Sequence, residues 1–173
     1  MAAFAALWLF WGGAFAGNVP TSYVVIAAVV EGILMGCAIM LIRKGRALQR
    51  EYPLPADVSK RTGRAFGIVF AVEFVAIAVG NTVVSTLKHP ELVPAWTAFV
   101  VGVHFVPLAR VFAVRAYVPI GIVLAAWAVF CCIAYRGDTL GMRVSVGAAV
   151  ILWATCAYAL INGRQALASF KAA

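Results

Sequence analysis

The chain has 173 residues, of which 65% are hydrophobic and 12% charged, with a mean hydropathy of +1.00 and a formal net charge of +8. A soluble domain carries roughly 25% charged and 45–50% apolar residues, so this chain has too little polar surface to face water. A soluble enzyme, a secreted disulfide scaffold and a disordered tail are excluded, and the length suits a single integral membrane domain, 1–173.

Six apolar runs follow in chain order, each measured against the roughly 20 residues a helix needs to cross about 30 Å of hydrocarbon. The first covers Ala2 to Asn18, and no charged side chain precedes Glu31. It lacks the basic segment that opens a secretory signal, so it reads as a retained span. The turn cluster Gly17-Asn18-Val19-Pro20-Thr21 leads into a second span, Ser22 to Ile42. A basic loop, 43–64, is broken by Pro53 and Pro55, and the third span runs from Ala65 to Leu87. Lys88-His89-Pro90-Glu91 ends it. The fourth span is Leu92 to Phe112, the fifth Tyr117 to Tyr135 and the sixth Val144 to Ile161, with Arg136-Gly137-Asp138 at the last turn. The runs are continuous and not alternating, which predicts an all-α, polytopic helical bundle and not a barrel.

The basicity is topological. Seven of the fourteen Lys and Arg residues lie in the 43–64 loop, as expected of a cytoplasmic loop beside membrane spans. With that loop inside, six spans put both termini in the cytoplasm. The inner side then holds eleven basic residues, counting Arg110, Arg115, Arg164 and Lys171, and the outer side three: Lys88, Arg136 and Arg143. Tyr23, Trp96 and Tyr135 fall at outer ends and Tyr117 near the inner one, where aromatic belts sit. The loop could also meet anionic lipid headgroups. Nucleic acid is not an expected partner, because the stretch has one aromatic residue, Tyr52, and no binding motif.

A faint repeat runs through the chain. Ala5-Ala6 and Phe10 match Ala125-Ala126 and Phe130, and Cys37-Ala38 with Leu41-Ile42 match Cys156-Ala157 with Leu160-Ile161. Duplicated helical hairpins would produce this, as would chance in Ala- and Leu-rich helices. Cys37, Cys131, Cys132 and Cys156 lie inside apolar runs without metal-ligand spacing and read as small buried hydrophobes.

Chemistry is expected where charge sits inside the membrane, which costs about 2.5–3.5 kcal/mol per group by insertion scales. Glu31, Glu73 and His104 lie deep in three different spans. Counted from Arg43, Arg64 and Arg110 or Arg115, their depths are roughly 18, 13 and 9–17 Å from the inner face. The three could converge on a proton- or cation-binding site, with His104 as relay or partner. Equally, they could satisfy one another and lock helices in register. Interhelical hydrogen bonds average only ~0.6 kcal/mol in membranes, a modest return for three such groups.

The densest stretch is Gly102-Val103-His104-Phe105-Val106-Pro107-Leu108-Ala109-Arg110-Val111-Phe112. Pro107 frees the Val103 carbonyl beside His104, suiting a ligand or water, or else it simply kinks the helix. Arg110 reads as a snorkelling cation, an inner gate or an anion contact. The segment resembles a G-x-H-F-x-P-L-A-R-x-F pattern found in small uncharacterised bacterial integral membrane proteins. That resemblance implies a bacterial inner membrane and singles out His104, Pro107 and Arg110; it brings no assigned activity.

Gly13-x-x-x-Gly17 and Gly32-x-x-x-Gly36 have the spacing that lets helices approach closely. Trp8, Trp11, Trp127 and Trp153 lie mid-span, as bundle fillers, lipid-facing rings or an aromatic pocket. No hydrolase elbow, Walker loop, zinc motif or Asp-rich cluster occurs, so no catalytic residue, metal or cofactor is expected. The leading expectation is a protein that binds or moves a small solute or cation with proton coupling, through Glu31, Glu73, His104 and Arg110. The alternative is a non-catalytic lipid-binding scaffold, sensor or accessory subunit, with room for a homo-oligomer. An intramembrane enzyme acting on lipid is a third class.

Overall fold

The computed structural model describes residues 8–10, 21–52 and 56–172. The first apolar run is represented by Trp8, Leu9 and Phe10, which are helical; the rest of it, with Gly13 and Gly17, lies outside the described residues. Five long helices follow: α1 (Thr21–Glu51), α2 (Ala56–Thr86), α3 (Val93–Val111), α4 (Tyr117–Ala134) and α5 (Gly137–Ala172). A single 3-10 turn, Pro90–Leu92, precedes α3, and there is no strand among the described residues. Each long helix contains a stretch long and apolar enough to cross a membrane, between Val24–Leu48 and Thr139–Ser169. The chain is an all-helical, multi-pass membrane protein.

Three helices outrun the expected spans. α1 continues from Ile42 to Glu51 and α2 begins at Ala56, so the basic stretch is mostly helix; Pro53 and Pro55 lie outside the described residues. The reason is local. Arg, Lys, Ala, Leu, Gln and Glu are good helix formers, and apolarity marks where the membrane stops and not where the helix does. Likewise α5 starts before Val144 and ends beyond Ile161.

The helix ends are closed by backbone devices. At the end of α2, His89 donates to Val84 O and Lys88 to Ser85 O, with Lys88 at φ 60, a Schellman closure on a residue that is not glycine. α3 ends on Ala113 at φ 54, with Val114 donating to Ala109 O. At the end of α4 the Arg136 guanidinium donates to the Cys132 and Tyr135 carbonyls, satisfying acceptors that the helix leaves orphaned.

α3 is the centre, packed against α2, α4 and α5, while α1 leans on α5. The core runs along matching helical faces: Ala95, Ala98, Val101 and Phe105 on α3; Leu124, Ala128 and Cys131 on α4; Leu140, Val144, Ala148 and Leu152 on α5. Gly102 and Gly121 meet where α3 crosses α4. A Cβ on Gly121 would collide with the Gly102 carbonyl, and one on Gly102 would come within 2.7 Å of Ala125 N and Gly121 O. This crossing is backbone against backbone. The space at Gly102, two residues before His104, is filled by the neighbouring helix.

Candidate functional site

The membrane-crossing stretches of α1 and α2 are apolar, yet most of the side chains they present are exposed within the chain and most of the others only half-buried. Among the described residues, the one buried position on α2 is Glu73 and the one on α1 is Ala27. α2 thus turns its single acid of the membrane zone toward the bundle and most of its Val, Ile and Phe side chains away, with Ile77 packed against the core. In lipid this ordering is expected, because an apolar side chain gains nothing by leaving acyl chains while a carboxylate does.

Glu73 meets His104 of α3. The carboxylate Oε2 lies 3.2 Å from the imidazole Nδ1, with the side chains 8% and 10% exposed. The contact is one of proximity, since Nδ1 makes no aligned hydrogen bond among the described residues. Pro107 sits inside α3 one turn after His104.

Glu31 is elsewhere. Its Oε2 accepts a 2.9 Å hydrogen bond from the Trp153 indole across the α1–α5 seam. Its Oε1 is buried without a hydrogen-bond partner among the described residues. The three ionisable groups read as one constellation from depth alone therefore stand as two contacts on two different helix pairs. Arg110 is exposed in the last turn of α3, where a cation suits the helix dipole, and makes no hydrogen bond or ion pair among the described residues. Gly32 and Gly36 lie on an exposed stripe of α1, with no atom within 4 Å of where a Cβ would stand. No group of three or more His, Cys, Asp or Glu residues could hold a metal among the described residues.

Sequence reasoning missed a recurring contact. The Trp96 indole lies on Gly80 of α2 and donates to Ala76 O at 3.0 Å; the Trp127 indole lies on Gly147 of α5 and donates to Arg143 O at 3.3 Å. In both, the ring covers a glycine and its N–H reaches the carbonyl four residues earlier. An indole N–H held away from water needs an acceptor, and a glycine lets the ring approach the neighbouring helix closely enough to reach a backbone carbonyl. The available signal was a glycine on a neighbouring span at matching depth. Thr97 adds a bond to Asn81 Oδ1 at 3.3 Å on the same α2–α3 seam.

Comparison with known proteins adds no relative: no family model, no curated protein and no solved structure matches the chain.

Proposed function

We propose that this chain is a non-catalytic component of a bacterial inner membrane, a lipid-engaging scaffold or accessory subunit. Its end bearing Arg43 to Arg64 faces the cytoplasm, in a six-span arrangement with both termini inside. The charge asymmetry supports that orientation, since the C-terminal ends of α1, α3 and α5, the start of α2 and the α3–α4 turn with Arg115 carry eleven of fourteen basic residues. The faint sequence repeat is consistent with duplicated hairpins within this arrangement.

One observation carries the functional reading. Each acid within the membrane zone is matched to a partner on an adjacent helix, the buried Glu73 to His104 and the half-buried Glu31 to Trp153, and the two matches lie on separate seams. Such pairs hold helices in register. The exposed apolar faces of α1 and α2 are then the surfaces through which lipid or a partner's helices meet the protein. Extraction from native membranes in mild detergent should yield a stoichiometric assembly heavier than the 18.3 kDa chain, and proteoliposomes should hold an imposed proton gradient as well as empty liposomes do. A lone monomer, or a leak abolished by Glu73→Gln, overturns the proposal.

A second reading has a specific observation behind it. The Glu73–His104 pair is a buried acid and base without an aligned hydrogen bond, which suits proton-coupled binding of a small solute or cation. Glu73→Gln and His104→Gln should then abolish coupled uptake; uptake that survives both removes this reading.

A further inference from the structure

At the basic end of the bundle, α1 and α5 enclose a groove of about 670 Å³, within the roughly 300–1,000 Å³ range of sites that hold small ligands. Its walls are apolar, with Leu41 and Leu48 from α1 and Leu160 and Leu167 from α5. Two cations line it, Lys44 and Arg164, one from each helix. Neither makes a hydrogen bond or ion pair among the described residues. Leu41 packs on Gly163, so the helices touch beside the groove.

The register of the two cations is informative. Lys44 lies two residues beyond Ile42, where the apolar run of α1 ends, and Arg164 lies three beyond Ile161, where that of α5 ends. Both therefore sit at the depth where hydrocarbon gives way to phosphate. Glu51, the one acid on the wall, is seven residues past Lys44, so about 10 Å farther toward water. An apolar trough opening on two unpaired cations at phosphate depth has the polarity of an amphiphile with an anionic head. A zwitterionic head would bring its own cation to the same place and gain less.

We infer that the α1–α5 groove binds one anionic phospholipid of the cytoplasmic leaflet, its phosphate bridging Lys44 and Arg164 and an acyl chain lying along Leu41 and Leu160. The phosphate joins α1 to α5 on the same seam as the Glu31–Trp153 bond, and the lipid becomes part of the bundle's packing. This rests on the membrane orientation proposed above but not on assembly with a partner. Loss of lipid selectivity would leave assembly intact, and assembly is read separately by the mass of the extracted complex.

The test uses the full chain, delipidated in detergent, with bound lipid counted by native mass spectrometry after addition of phosphatidylglycerol or phosphatidylcholine of matched chains. The wild type should retain one phosphatidylglycerol at least about tenfold better than phosphatidylcholine, a difference of about 1.4 kcal/mol. Lys44→Gln with Arg164→Gln should erase that preference, as should Leu160→Trp, which fills the groove and keeps both cations. Arg115→Gln, at the same end but outside the groove, should behave as wild type. Equal retention of the two lipids by the wild type overturns the inference. So does wild-type selectivity in both the charge and the groove variants, or displacement of the lipid by inorganic phosphate alone, which marks a simple anion site.

Discussion

Where α3 crosses α4 a glycine faces a glycine and backbone meets backbone; where α1 meets α5 a carboxylate meets an indole and a groove stays open beside them. The first seam buries Gly102, Gly121, Leu124 and Ala128 and leaves no room for a methyl group. The second rests on Glu31, Trp153 and the Leu41–Gly163 contact, and most of α1 is exposed. In lipid, apolar contact alone does not draw helices together, because acyl chains are as apolar as leucine. Close packing or a polar bond has to supply the preference. The α3–α4 seam uses packing, the α1–α5 seam uses a polar bond, and the α2–α3 seam combines both, through Trp96 on Gly80 and Glu73 beside His104.

The comparison can be broken at the tight seam first. Gly121→Leu drives a side chain into the Gly102 carbonyl, which cannot move without its helix, so the loss should reach the top of the about 1–3 kcal/mol range for overpacking. Thermal unfolding in detergent reads it, and an unchanged midpoint would mean that α3 and α4 are not in backbone contact. His104→Ala on the mixed seam should cost about 1–2 kcal/mol, as interhelical polar contacts do in model membrane helices. A double-mutant cycle with Glu73→Gln should show coupling between the two; strict additivity would mean that their closeness has no energetic content.

The polar seam should be softer. Trp153→Phe removes the bond to Glu31 and keeps the ring, for a loss of about 0.6 kcal/mol, and Glu31→Ala should add little on that background. Smallest of all is Gly36→Leu, which meets open space and should leave stability within about 0.5 kcal/mol. A large loss there would show that this stripe of α1 is covered by another helix in the membrane, and the contrast between the seams would then narrow.

The membrane-crossing runs were legible because length and apolarity are all that a span requires, and the five described ones lie inside the helices found or overrun them by one residue at an end. Their ends were less so: Arg43 to Glu51 and Ala56 to Arg64 are helical although their charge reads as loop. Depth counting placed Glu73 and His104 in one slab, and they are neighbours. The same counting placed Glu31 with them, but depth says nothing about rotation around a helix axis, and Glu31 faces α5. The indole–glycine contacts were hidden for a related reason. A tryptophan announces a need for an acceptor without saying which neighbouring helix meets it, and Gly80 and Gly147 carry no chemistry of their own.

Three indoles donate across three different seams, Trp96 from α3 to α2, Trp127 from α4 to α5 and Trp153 from α5 to α1. Indole emission responds to hydrogen bonding and to the polarity around the ring, so variants keeping one of these tryptophans, with Trp8 and Trp11 also replaced, would each report the opening of a single seam. Followed through a denaturant ramp, the three colours would order the bundle's disassembly, with the α1–α5 emission expected to shift first.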